Sequence, residues 1–539
     1  MVEGLPSRDP RITAFKGIPF AAPPTSDLRW KAPQPAANWN GVLKTHNFSA
    51  IPMQKKPGVG RNDIYAKEFY VDSEVPMSED CLYLNIWTPA ILPPLSASQL
   101  DEVHLTPPAG ENLPVYVWYY GGAFQQGYTS EMEFDGERLA RRGIVVVTIN
   151  YRVNVFGFFS HPELTKENPD FPANFGNLDQ TFATQWVKRN IAAFGGDPGN
   201  ITIGGQSAGG GSVLTQLTSP LTKDLFQKAV IHSGTFYGAY QNRGRQSRSF
   251  QDAEKQGEEF FEFLGVKTLA EARTLPAETI RDKCSEFDKG WSPVVDGNYI
   301  TGNSGEMMLK NQRHPVPLLM GFTSDEFASS PNAASMEEIE KLASERFGER
   351  AKEFLEICKR MASNSPDIEA INKVATINPM EIAIRAYSKK TAELQATAPE
   401  NYFYIFGGPI PGEDNPGAFH SSDLWFFFET LALSWRPFSG LHYDLARQMC
   451  NYLANFIKCG NPNGSASKLA EDSAGSYSAG LEAVSSGDSS SETGGQTLPE
   501  WKPFSDGEKP MVFKGKSAMS TEEPSELINF LVNEALSKI

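Results

Sequence analysis

Residues 201–210 read ITIGGQSAGG. The β-branched run Ile201-Thr202-Ile203 stops at Gly204-Gly205, and Ser207 then stands among small residues. NITIG before it is strand-like, and GGSVLTQLTS after it is an apolar helical stretch. Gly205-Gln206-Ser207-Ala208-Gly209 therefore fits G-x-S-x-G in the strand–turn–helix setting of a nucleophile elbow. In so sharp a turn, side chains two positions before and after the serine would collide, and Gly205 and Gly209 remove that collision. The serine hydroxyl then stands above the sheet edge, at the start of a helix whose dipole favours negative charge. Without that setting, the same residues would be a glycine-rich helix cap with an ordinary serine.

Further strand-like runs flank this one. LPVYVWYY (113–120), GIVVVTINYR (143–152), KAVIHSG (228–234), VPLLMG (316–321) and NYFYIFG (401–407) are rich in Val, Ile, Tyr and Phe. Several are apolar on both faces, as in a buried, mostly parallel sheet. Helical patterns separate them. GNLDQTFATQWVKRNIAAFG carries Leu178, Phe182, Trp186, Val187 and Ile191 at helical spacing, and the turn-forming GGDPGN (195–200) follows. Strands alternating with helices predict an α/β fold with helices on both faces of the sheet.

The bulk properties agree with one large globular body. The chain has 539 residues, 40% hydrophobic and 21% charged, and we expect a single domain over 1–539. A net charge of −16 and a pI near 5.1 disfavour nucleic acid and anionic membranes as partners. No run of 18 apolar residues predicts a membrane span. VEGLPSRDP after Met1 lacks the basic and apolar segments of a signal peptide. Five cysteines, an odd and low count, are not a disulfide framework. This favours the cytoplasm, with secretion after removal of a leader as the alternative. Cys450 and Cys459 lie in one helical pattern, roughly 13 Å apart at helical rise, too far for a bridge. Residues 463–497 are dominated by Ser, Gly, Ala and acids and predict a flexible surface insertion.

A serine nucleophile needs a base, and the base needs an orienting acid. After an elbow serine the chain order is acid, then histidine, each on a loop following a strand. Of seven histidines, His232, His314, His420 and His442 follow Ser207. His232 falls within a strand run, His442 within a helical pattern, and His314 directly before a strand. His420, in the Gly/Pro-rich GEDNPGAFHSSDLW after NYFYIFG, is the best base. GFTSDEF after VPLLM offers Asp325 and Glu326 as the acid, and position alone does not choose between them; a helix N-cap is the competing role for either. The oxyanion needs backbone donors. Ala208, after the serine, is one; Gly121-Gly122-Ala123, after the strand VYVWYY, supplies others.

With these residues assembled, the chain closely resembles the type B carboxylesterase family, which includes cholinesterases. The resemblance runs through FKGIPFAAPP (15–24), LRWKAPQP (28–35), SEDCLYLNIWTP (78–89), NIAAFGGDPGNITIGGQSAGG (190–210), GFTSDEF (321–327), GAFH (417–420) and GNPNG (460–464). It implies an α/β-hydrolase fold with helical cap insertions, serine-dependent hydrolysis of a small-molecule carboxylic ester, and no cofactor or metal. Carried over by position, it implies Ser207 as nucleophile, Glu326 rather than Asp325 as acid, and His420 as base. It implies the N–H groups of Gly122, Ala123 and Ala208 as oxyanion donors. Arg29 and Glu79 match a structural salt bridge, Ser233 a serine buried near the triad, and Asp423 an acid three after the histidine.

The departures also carry information. Many members pair a cysteine with the one at position 81; here Met53 stands there, so Cys81 is expected to stay reduced. Cholinesterases carry Glu before the serine, where this chain has Gln206, and residues 54–80 contain none of their choline-site Trp. A cation would lack both carboxylate and aromatic face, which argues against choline esters. Phe124, Tyr128, Phe236, Tyr237, Trp291, Trp425 and Phe426 are the candidate pocket walls, with core packing as the competing role for each. The alternative reading is an inactive adhesion or binding protein of the same fold. Such relatives lose the serine or histidine, which this chain keeps.

Overall fold

The computed structural model describes residues 1–58, 63–70, 72–89, 112–236, 238–240, 249–393, 399–464, 498–505 and 509–538. The predicted insertion at 463–497 lies, from residue 465 on, outside the described residues, as does Tyr237. The strands in chain order are β1 (Val2–Glu3), β2 (Leu5–Pro6), β3 (Thr13–Pro19), β4 (Leu43–Lys44), β5 (Tyr83–Thr88), β6 (Leu113–Tyr119) and β7 (Val145–Ile149). Then follow β8 (Gly196–Gln206), β9 (Lys228–His232), β10 (Leu318–Thr323), β11 (Asn401–Phe406), β12 (Met511–Lys514) and β13 (Lys516–Met519). Among the described residues, β1 and β4 pair alone and the other eleven form one sheet, ordered β13-β12-β11-β10-β9-β8-β6-β7-β5-β3-β2. The block from β12 to β7 is parallel throughout, and both edges are closed by antiparallel strands.

The sequence accounts for this arrangement. β7 (VVVTI) and β10 (LLMGFT) are buried at every residue, so helices must cover both faces. The helix Ala208–Thr218 packs on β6, β8 and β9, and Gly440–Cys459 on β6, β8 and β13. The GGDPGN stretch behaves differently from a plain turn. Gly196 pairs with Leu113, but the next pairing joins Val115 to Ile201, so residues 197–200 bulge out of an otherwise continuous β8.

Helical insertions occupy the chain between β9 and β10 and between β10 and β11. Ser249, Thr268, Asn303, Ser335, Asp367 and Asn378 each open one of these helices, their side chains accepting a first-turn backbone N–H. Arg29 fastens the first insertion to the N-terminal segment. Its Nε and Nη2 each donate to a Glu79 oxygen at 2.6 Å, and its Nη1 donates to the carbonyls of Ala272 at 3.0 Å and Leu275 at 2.9 Å. Cys81 is a free buried thiol, and Met53 lines the same small cavity. Met53 carries no thiol, and Cys81 has no disulfide partner among the described residues. Cys450 and Cys459 share the helix Gly440–Cys459.

Candidate active site

Ser207 follows β8 directly and precedes the helix Ala208–Thr218, with φ 54° and ψ −119°. A non-glycine residue there is strained, and the surrounding turn must hold it. Two glycines make that turn sterically feasible. A Cβ on Gly205 would lie 2.4 Å from the Gly209 carbonyl carbon, and one on Gly209 would lie 2.0 Å from the Tyr119 carbonyl oxygen. The Ser207 N–H donates to the His232 carbonyl at 2.9 Å, and the Ser207 carbonyl accepts from Gly211 N–H at 2.8 Å. These bonds tie the turn to β9 and to the new helix, and the half-buried Ser207 side chain stands at the carboxyl ends of the strands. Open α/β sheets bind ligands at that edge.

The other site residues arrive at the same edge. β10 ends at Thr323, and Glu326 follows, 6% exposed. Its Oε1 accepts from Ser233 Oγ–H at 2.6 Å and from Thr323 N–H at 2.7 Å, and its Oε2 meets His420 Nδ1. Asp325 turns elsewhere, accepting from Ala418 N–H at 2.8 Å, and so holds the loop that carries His420. The parallel pairing of β10 with β11, through Thr323 and Phe406, puts the two loops side by side. Behind them His232 Nδ1 lies 2.7 Å from the Tyr404 hydroxyl, which donates to Asp423 at 2.7 Å. Asp423 is therefore packed beneath the site, fully buried.

The loop after β6 completes the group. Gly122 and Ala123 have φ of 107° and 57°. A Cβ on Gly122 would lie 2.1 Å from the Gln126 carbonyl oxygen, and one on Gly121 would lie 3.2 Å from Ser207 Cβ. The loop thus rests against the serine turn. The N–H groups of Gly122, Ala123 and Ala208 donate to no described residue. Among the described residues, no three His, Cys, Asp or Glu side chains group to hold a metal ion.

The candidate pocket aromatics divide in two. Phe236 lies 5.9 Å, ring to ring, from Phe327, whose ring is 4.4 Å from that of His420. Phe124 belongs to a small apolar cluster that includes Ala208, and it packs edge-on against Phe158 at 5.1 Å. Trp425 and Phe426 are core and not pocket wall. Both are fully buried, Trp425 stacking on Phe69 and Phe426 contacting Phe406. Trp291 is also core, 1% exposed between Phe159, Phe260 and Phe287. Sequence reasoning missed Phe327, which is 47% exposed beside His420, and Tyr65, edge-on to the same imidazole at 6.4 Å. Adjacency to Glu326 is the only signal in the sequence for Phe327, and Tyr65 has none.

Buried acids lie in the chain following the loop after β6. Glu131 accepts from Tyr128 N–H at 2.8 Å and shares a side-chain hydrogen bond with Glu133. Burial, then the neighbouring charge, pushes Glu131 well above the usual carboxylate range, and burial pushes Glu133 up to about 7. Both folded values lie above the unfolded one, so the folded state holds protons the unfolded state releases. For Glu133 that stabilisation is full below the ordinary value of 4.5 and is lost as pH rises through about 7, and for Glu131 the loss likewise begins above 4.5. The thermal midpoint is expected to fall between pH 5 and pH 8, and Glu131→Gln to flatten the decline. Thermal scans of both proteins across that range measure it; equal slopes would sink the assignment.

Known proteins share the family and the fold of this chain. The profile of the carboxylesterase family matches residues 2–523. Fumonisin B1 esterase of Sphingopyxis macrogoltabida is 31% identical over 440 residues, 78% of this chain and 73% of that protein. Para-nitrobenzyl esterase of Bacillus subtilis is 30% identical over 474 residues, 84% of this chain and 87% of the relative. Mouse cholinesterase is 30% identical over 496 residues, 84% and 76% of the two chains. Among solved structures, a thermophilic PNB esterase superposes with a TM-score of 0.71 at 26% identity, covering 98% of each chain. A carboxylesterase of Geobacillus stearothermophilus gives 0.69 at 26% identity, again over 98% of both. With the family match spanning nearly its whole length, the chain belongs to the carboxylesterase family and hydrolyses carboxylic esters.

Proposed function

We propose that the chain cleaves small to medium, uncharged carboxylic esters through an acyl-Ser207 intermediate. The observation that carries this reading is the convergence at one sheet edge of Ser207, His420–Glu326 and three backbone N–H groups that donate to no described residue. Ser207 Oγ attacks the ester carbonyl as His420 Nε2 takes its proton. Glu326, fixed by Ser233 and Thr323, holds the proton on Nδ1 and offsets the imidazolium charge. The tetrahedral oxyanion sits on the N–H groups of Gly122, Ala123 and Ala208, where one donor contributes about 3 kcal/mol. His420 then protonates the departing alcohol, and water repeats the sequence on the acyl-serine. Gln206, in place of a carboxylate, gives a cationic alcohol no partner there, which favours neutral esters.

Phe327, with Phe236 beside it, is the aromatic surface closest to the base and would limit acyl length. Hydrolysis of p-nitrophenyl esters from acetate to decanoate tests the reading, with Phe327→Ala alongside. Wild type is expected to favour short to medium chains. The variant is expected to move the optimum to longer ones, by about fourfold in kcat/KM per methylene newly accommodated. A wild type inert on the whole series would bring the binding-protein alternative forward. An unmoved optimum would remove Phe327 from the pocket.

A further inference from the structure

Gln206 is 3% exposed, the last residue of β8, and its Nε2 lies 3.0 Å from Nε2 of His420. Ser207 Oγ, by contrast, makes no hydrogen bond to a described residue. One nitrogen of a contacting pair must donate, and a carboxamide nitrogen has only donors. His420 Nε2 is therefore the bare acceptor, and the ring proton is on Nδ1, facing the Glu326 carboxylate. The flipped carboxamide would require the proton on Nε2. Nδ1 would then set its lone pair against the Glu326 oxygen, which is repulsive. The amide orientation thus follows from the acid.

We propose that Gln206 is a positioning residue that caps the lone pair of His420 in the resting enzyme, so that Ser207 must displace a carboxamide N–H before the base can take its proton. The proposal rests on the Ser207–His420–Glu326 reading above. Once Nε2 is protonated, its N–H faces the N–H of Gln206, donor against donor, so the carboxamide opposes the imidazolium as long as it stays in place. A carboxylate at the same position would accept from the imidazolium and favour it. Among the described residues, the polar atom that meets His420 Nε2 is Gln206 Nε2. Glu326 meets Nδ1, the rings of Tyr65 and Phe327 lie 6.4 and 4.4 Å from the imidazole, and Asp423 is engaged by Tyr404 and lies 3.7 Å from His232.

Two variants and one measurement on the wild type test this. Gln206→Met removes the cap at similar length. Phosphonylation of Ser207 by a neutral fluorophosphonate is expected to accelerate about fivefold, the weight of one neutral hydrogen bond. Gln206→Glu places a charge at hydrogen-bond distance from Nε2. The acidic limb of kcat/KM is expected to move up by about one pH unit. Nitrogen NMR of histidine-labelled wild type is expected to find His420 with its proton on Nδ1, and finding it on Nε2 would overturn the proposal even if neither variant folds. An unshifted acidic limb in Gln206→Glu, with labelling of Gln206→Met no faster than wild type, would leave Gln206 a packing residue. The two readings fail separately. If Ser207→Ala remains active, the catalytic assignment falls. If it is inactive while the Gln206 variants keep the wild-type profile and labelling rate, only the cap falls.

Discussion

Ser207→Ala is expected to lose about 10⁴- to 10⁶-fold in kcat on p-nitrophenyl acetate, the range seen when a serine hydrolase loses its nucleophile. The substitution removes one oxygen that bonds to no described residue, so no packing or hydrogen bond of the fold goes with it. Circular dichroism and the thermal midpoint should stay with wild type. The oxyanion donors remain in place and can still polarise a carbonyl, which is why a residual rate above water is expected. Activity within tenfold of wild type would place the nucleophile elsewhere. Loss of the folded signal together with activity would show that the strained turn, and not the chemistry, needs the hydroxyl.

Gly209→Ala is expected to destroy the site by a different route. The added Cβ would sit 2.0 Å from the Tyr119 carbonyl oxygen and 2.5 Å from that of Tyr120, both backbone atoms of or beside β6. No rotamer relieves a clash with backbone, so the helix Ala208–Thr218 must lift away from the sheet. That displacement carries Ser207 and Ala208 away from the loop at Gly121–Ala123. A cost of about 3 kcal/mol or more is expected, at the upper end for an overpacked site. Gly211→Ala, two residues further along the same helix, is the control. Its Cβ would meet only a Phe124 ring carbon at 3.6 Å, an ordinary contact, and alanine favours the helix. Thermal midpoints and active-site titration of the two variants should diverge: folded and fully titratable for Gly211→Ala, low yield or untitratable for Gly209→Ala. Wild-type behaviour from Gly209→Ala would mean that the elbow tolerates what its geometry forbids.

Much of this was legible in the chain itself. Short apolar runs with no polar face, such as VVVTI and LLMGFT, allow only a strand covered on both sides, because one-sided exposure would leave apolar groups in water. ITIGGQSAGG likewise encodes its turn locally, since the collision between positions 205 and 209 involves atoms four residues apart. Local sequence also singled out His420, because its rivals sit inside or against regular elements. Position alone left Asp325 and Glu326 open, and the family resemblance selected Glu326. In the tertiary structure the two acids do different things. Parallel pairing of β10 with β11 brings the histidine loop alongside, so that one acid fastens its backbone and the next meets its imidazole.

Only the tertiary structure separated the aromatics. Trp425 and Phe327 look alike as large apolar residues close to a candidate site residue in sequence, yet one is fully buried in the core and the other is half-exposed. Which of them meets solvent depends on helices and loops contributed from far along the chain, and no local pattern records it. The same holds for Gln206 and His420, 214 positions apart, whose contact exists because the end of β8 and the loop after β11 reach one edge of the sheet. Local patterning specified the sheet, the turn and the candidate reactive residue types. Long-range packing decided which of those residues touch, because contact depends on how separate strands are ordered in the sheet, and each strand's own residues specify only its burial.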